Sequence, residues 1–208
     1  MHFSEFQHLT HLIGTTSLVS LYLLRLYFLL RHKVVPDRAP DPKGDLVQGV
    51  IWSLLILVTP WRMESSSKHW TRYVEFIIFH IAIFMNILTS FLLTYAPGIM
   101  GPPVNYAFVL FLGLGLIAGL SRIVRRFNRP EMRIISSFDD YFSMILVLLF
   151  LFTGMLALLG LFWAIVVYFV IAAFFLLYEP LSKIRHYLYY PFGRIFFGTD
   201  FGRRGVLK

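Results

Sequence analysis

The uncharged run YFSMILVLLFLFTGMLALLGLFWAIVVYFVIAAFFLLY, residues 141–178, decides the fold. As one helix its 38 residues would extend about 57 Å, nearly twice the roughly 30 Å of bilayer hydrocarbon. It reads as two membrane-spanning helices that turn within residues 158–162, around Gly160. Working outward, three further stretches are long and apolar enough to span, which gives expected spans at 12–31, 73–95, 104–123, 140–159 and 161–182. The segment 46–61 (LVQGVIWSLLILVTPW) is shorter, carries Gln48 and ends near Pro60, so it reads as an interfacial or re-entrant helix.

Composition agrees. The 208 residues are 58% hydrophobic and 14% charged, with mean hydropathy +0.71. This excess of apolar side chains cannot be buried in a 24.3 kDa soluble globule. The chain reads as an all-α, multi-pass protein of the cell (cytoplasmic) membrane and as a single membrane domain over 1–208. The N-terminus shows neither a basic region before its apolar run nor an A-x-A site, so the first run is read as a retained helix. With no Cys, the chain offers no disulfide, thiolate site or iron–sulfur cluster.

The net charge of +8 and pI near 9.9 would suggest nucleic acid in a soluble protein. Here the positive-inside rule accounts for them, and no nucleic-acid partner is expected. Segments 31–72, 122–137 and 183–208 hold 7, 5 and 6 of the 19 Lys/Arg, and five spans with the N-terminus out and the C-terminus in put all three segments on one side. Six spans, or one span across 141–178, would divide them. Residues 31–45 contain three prolines and read as a cytoplasmic loop. Ser136 or Ser137 is expected to N-cap the fourth span, and capping is the first reading of Asp139 and Asp140, ahead of proton transfer.

Histidine inside an apolar helix is costly enough to suggest function. His80, in EFIIFHIAIFMNIL, lies about 12 Å along its helix from Arg72. His186 follows the last span, beyond Pro180, which is expected to kink that helix. The pair admits two readings: both axial ligands of one b-type haem, or an interhelical hydrogen bond beside a residue of a basic helix end. His2, His32 and His69 fall in polar or interfacial segments. His8 and His11, three apart, read first as membrane-interface residues and second as the border of a quinone headgroup or second haem.

At these residues the chain resembles the membrane cytochrome b family of respiratory nitrate reductase gamma subunits. The likeness is closer to the branch serving heterodisulfide-reductase-like and sulfite-reduction-associated membrane complexes. Three stretches carry it: KHWTRYVEFIIFHIAIF (68–84), RRFNRPEMRIISSFDDYFSMILVLLFLFTGM (125–155) and EPLSKIRH (179–186). Family members usually hold two haems b. The resemblance implies that His80 and His186 ligate the haem nearer the cytoplasmic partner. It also implies that Ser90 and Tyr168 stand where the other ligands would be, so that one haem b is held and the outer one is lost.

Arg25, Arg72 and Arg185 are then candidate partners of the haem propionates, with snorkelling to the interface preferred for each taken singly. Segment 46–61 and the cytoplasmic tail 187–208 would offer a docking surface or meet lipid headgroups. The implied role is a non-catalytic subunit relaying electrons between membrane quinone and a cytoplasmic iron–sulfur subunit. A haem-free membrane anchor is the alternative. A channel or transporter is a weaker third, because the spans carry few acids and show no inverted repeat.

Overall fold

A computed structural model describes residues 3–32, 44–56, 59, 61 and 67–206. His2, most of the 31–45 loop and the RMESS stretch, residues 62–66, lie outside the described residues. The protein is all-helical: α1 (Phe3–Arg31), α2 (Leu46–Leu55), α3 (Trp70–Tyr95), α4 (Pro102–Asn128), α5 (Pro130–Ile134), α6 (Phe138–Leu158), α7 (Phe162–Tyr178) and α8 (His186–Arg203). Five helical stretches are long and apolar enough to cross a membrane: Ser4–Arg31, Trp70–Tyr95, Pro102–Asn128, Phe138–Leu158 and Phe162–Leu181. α2 is a shorter apolar helix. The chain is a multi-pass membrane protein. It divides into two compact units, the first formed by residues 1–21 and 74–184, the second by 22–73 and 185–208.

Local chemistry sets the helix ends in the first unit. The turn between α6 and α7 passes through Gly160 at φ +85°, a left-handed backbone that a side chain would strain. α4 starts on Pro102 and Pro103, whose fixed φ suits the first turn and whose missing N–H would have no helical acceptor there. Ser137 is the N-cap of α6, and its backbone N–H and its Oγ both donate to the Asp140 carboxylate at 2.8 Å.

The core of this unit is apolar and aromatic. Phe150 of α6 stacks between Tyr168 and Phe175 of α7, with centroids 5.6 and 4.8 Å away and rings within 13° of parallel. Leu112 of α4 and Ala82 of α3 are fully buried alongside. Most of α1 is exposed, with Leu12, Ile13, Val19 and Leu23 each more than half accessible, as suits a helix bathed in lipid. Its contact runs through Gly14, where a Cβ would lie 3.0–3.1 Å from Leu176 and Ala173 of α7.

The acidic pair at the start of α6 does more than cap. Asp139 accepts from the Tyr178 hydroxyl at the end of α7 and from the Lys183 backbone N–H at 2.9 Å. Asp140 takes Lys183 Nζ at 2.5 Å, with Arg126 3.5 Å away. These bonds tie α4, α6 and the end of α7 together. Asp139→Ala is expected to lower unfolding stability in detergent by about 2 kcal/mol, since three donors, the third Ser143 Oγ at 3.3 Å, lose a charged acceptor. Thermal unfolding followed by circular dichroism measures it; an unchanged transition would show the network to be ornamental.

Beyond Tyr178 the chain departs from a simple kinked helix. Glu179–Leu181 and Lys183–Arg185 are 3-10 turns, and Ser182 caps the first by donating to the Glu179 carbonyl at 3.0 Å. The tail, expected as a basic extension, is then the 18-residue helix α8, with Pro191 inside it.

In the second unit α8 packs on α2 through glycine. A Cβ on Gly49 would come within 2.4 Å of the Gly198 carbonyl and the Gly202 Cα, and one on Gly198 within 2.5 Å of the Val50 Cα. The two backbones therefore touch, as in membrane helix pairs built on small residues four apart. Asp45 caps α2 by accepting from Val47 N–H at 2.8 Å and Gln48 N–H at 3.1 Å. The Gly44 N–H donates to the Arg203 carbonyl at 2.8 Å, joining the start of α2 to the end of α8.

Candidate functional site

His80 lies in the apolar stretch of α3 and is half-buried. One turn back, the Phe76 carbonyl lies 2.8 Å from its Nδ1, and a carbonyl only accepts, so Nδ1 carries the proton. The neutral imidazole then has its lone pair on Nε2. The ring lies on Phe76 with centroids 4.1 Å apart and meets Phe79 edge-on at 5.9 Å. Histidines that bind metals commonly donate their other ring N–H to a backbone carbonyl in this way. His32 makes the same bond to the Phe28 carbonyl at 2.7 Å, but it is exposed beside the end of α1. Depth in an apolar helix, not the hydrogen bond by itself, distinguishes His80.

The other sequence-predicted residues belong to the second unit. His186 is the first residue of α8 and is exposed. Arg25 of α1 and Arg185 of the preceding 3-10 turn are half-buried, and Arg72 is exposed in the first turn of α3. An edge contact between Tyr22 and Tyr187, at 5.4 Å, packs α1 on the start of α8 within this unit. Among the described residues no group of three or more His, Asp or Glu is arranged to hold a metal ion. A two-histidine haem needs no such group.

The first unit also contains a polar seam that the sequence reading overlooked. Asn86, Thr89, Ser90 and Thr94 lie at i, i+3, i+4 and i+8 on α3, and all are buried. Asn86 Nδ2 donates to the Phe150 carbonyl at 2.7 Å, and the Tyr168 hydroxyl donates to the Asn86 carbonyl at 2.7 Å. Together they tie α3 to α6 and α7. The helical spacing of these polar residues was the available signal.

His11 joins this seam. It is 1% exposed and packed against α3. Nε2 lies 3.3 Å from Ser90 Oγ and Nδ1 3.3 Å from the Tyr95 hydroxyl. Ser90 donates its own proton to the Ile87 carbonyl at 2.7 Å, which leaves its oxygen to accept from Nε2–H, and Tyr95 then donates to Nδ1. Phe91 closes the ring edge-on at 4.5 Å. His8, exposed one turn earlier, meets the Tyr95 ring at 5.6 Å.

Ser90 and Tyr168 therefore have hydrogen-bonded places in a packed interior. His11→Leu is expected to cost about 1 kcal/mol of unfolding stability in bicelles, the scale of an interhelical hydrogen bond in a membrane. His8→Leu should leave the transition where it is. Equal effects at the two positions would contradict the assigned clamp.

Compared with protein-family models, with curated proteins and with solved structures, the chain finds no match.

Proposed function

We propose that this chain is the haem b membrane subunit of a respiratory oxidoreductase complex, relaying electrons between the quinone pool and a cytoplasmic iron–sulfur subunit. The observation that carries the reading is His80: half-buried in a membrane-spanning helix, with Nδ1 2.8 Å from the Phe76 carbonyl. His186 is the proposed second axial ligand, and Arg25, Arg72 and Arg185 the proposed cations for the haem carboxylates. A bound haem supplies one-electron redox chemistry; the chain ligates it, shields it and sets its orientation. The iron–sulfur clusters belong to the partner, because this chain has no Cys. One haem is proposed, since Ser90 and Tyr168 lack ligating nitrogen or sulfur and are tied to their neighbours. The proposed partner docks on the side that the positive-inside rule gives to the basic segments.

The second reading, a haem-free anchor for a soluble redox subunit, draws on the tail. A helix locked to α2 by backbone contact, carrying Arg194 and Arg203, offers a partner a fixed, basic element. The test is to purify the chain from haem-supplied cells and add a short-chain quinol while recording the visible spectrum. The relay predicts a b-type absorbance that the quinol reduces. A chain without haem that still captures its soluble partner would replace the relay with the anchor.

A further inference from the structure

We infer that α2 and α8 form a two-layer unit lying in the plane of the membrane, with α2 sunk among the lipid acyl chains and α8 above it at the headgroups. The two faces of α2 are chemically opposite. Gly49 and Ser53, at i and i+4, are buried, Gly49 against the α8 backbone. Val47, Ile51 and Leu55, each two residues from one of them, lie about 200° away around the helix and are exposed. Leu54 is exposed beside them. The sequence of α2, LVQGVIWSLL, carries no charge, and its outer face is one that water leaves at a cost only to be regained in lipid.

α8 is built the other way. Gly198 and Gly202 are buried on the α2 side. Phe196 and Asp200, each two residues from a glycine, lie on the outer side, where Asp200 pairs with Arg204 at 3.5 Å. Arg203 is exposed in the last turn, and Arg194 lies over the Tyr190 ring at 5.3 Å. Phe197 and Phe201 pair with centroids 4.3 Å apart. Arginine and aromatic rings on one helix suit the headgroup layer.

Length and charge decide how the pair lies. The 10 residues of α2 extend about 15 Å, half the hydrocarbon thickness, so α2 cannot cross. Charge occurs all along α8, with Arg185 at its N-cap, Arg194 in its middle and Asp200 and Arg203 near its end. Tilting it into the bilayer would sink a charge whichever end went first. Lying flat with α2 beneath takes the apolar face of α2 out of water and keeps the charges of α8 in it. α2 and α8 are joined in sequence to membrane-spanning helices, so the leaflet that covers this face is already at hand.

The absence of Cys makes the test clean. Single cysteines are introduced at exposed positions as Ile51→Cys, Leu55→Cys, Phe196→Cys and Arg203→Cys, and each is spin-labelled in full-length protein reconstituted into phosphatidylcholine–phosphatidylglycerol vesicles. Power saturation with oxygen and with a water-soluble nickel chelate reads the depth of each label. The outer faces of two touching helices are roughly 15–20 Å apart, so the α2 labels should lie deeper than the α8 labels by about 10 Å or more. Labels on α2 as open to the nickel chelate as those on α8 would put that face in water and overturn the proposal. So would α2 labels shielded from oxygen and nickel alike, which would show protein covering the face, a second copy if spin–spin broadening accompanies it. Equal depth on the two helices would overturn the layering.

Discussion

Replacing His80 with alanine is expected to remove the haem and leave the protein inserted in the membrane. The substitution deletes the proposed ligand and removes a polar group from an apolar helix, so insertion becomes easier if it changes at all. The Phe76 carbonyl loses the imidazole donor but remains within α3. With one proposed axial nitrogen gone, haem occupancy in the purified protein should fall from about one per chain to near zero, a larger loss than the roughly 10–100-fold expected from losing a hydrogen bond to a ligand. His186→Ala should do the same. His32→Ala, which removes an imidazole with the same local bond outside the apolar interior, should change nothing. Haem extracted and counted against polypeptide measures all three. Full occupancy in His80→Ala would remove the residue from the site.

The other large effect is expected at Gly49. Its missing side chain is what lets α2 and α8 touch, since a Cβ there would lie 2.4 Å from backbone atoms of α8. Backbone cannot swing aside as a flexible side chain does, so Gly49→Val must push the helices apart. Overpacking of this kind costs about 3 kcal/mol, roughly a hundredfold in the population of the opened pair. Tryptic cleavage at Arg194, Arg203 and Arg204 should accelerate accordingly. Gly193→Ala is the control: it lies in the same helix, with nothing within 4 Å of an added Cβ, and should keep or slightly raise protection. Unchanged cleavage in Gly49→Val would show that the tail does not depend on this contact.

The five spans were legible because lipid imposes a length. A 38-residue uncharged run admits two helices, and its only glycine near the midpoint, Gly160, takes the positive φ of the turn. The capping role of Ser137 and Asp140 was legible for the same local reason. The tail helix was not, because Pro191, Gly193, Gly198 and Gly202 read as helix breakers in isolation. Two of those glycines are explained by Gly49, some 150 residues away in sequence, and local pattern carries no trace of such a contact. The packing of His11 was not legible because its partners lie on α3. The polar spacing of Asn86, Thr89, Ser90 and Thr94 could have shown that α3 turns a hydrogen-bonding face inward. Glu75 was missed likewise: its value depends on Ser121 and Arg125 lying one turn apart on α4.

The proposed ligand pair rests on His80 and His186, and one count addresses it most directly. Haem is extracted from the wild-type chain, purified from haem-supplied cells, and measured against polypeptide, with a reduced-minus-oxidised visible spectrum on the same sample. The account predicts one b-type haem per chain. Two would mean that ligands other than Ser90 and Tyr168 complete a second site, and none would contradict the cytochrome reading outright.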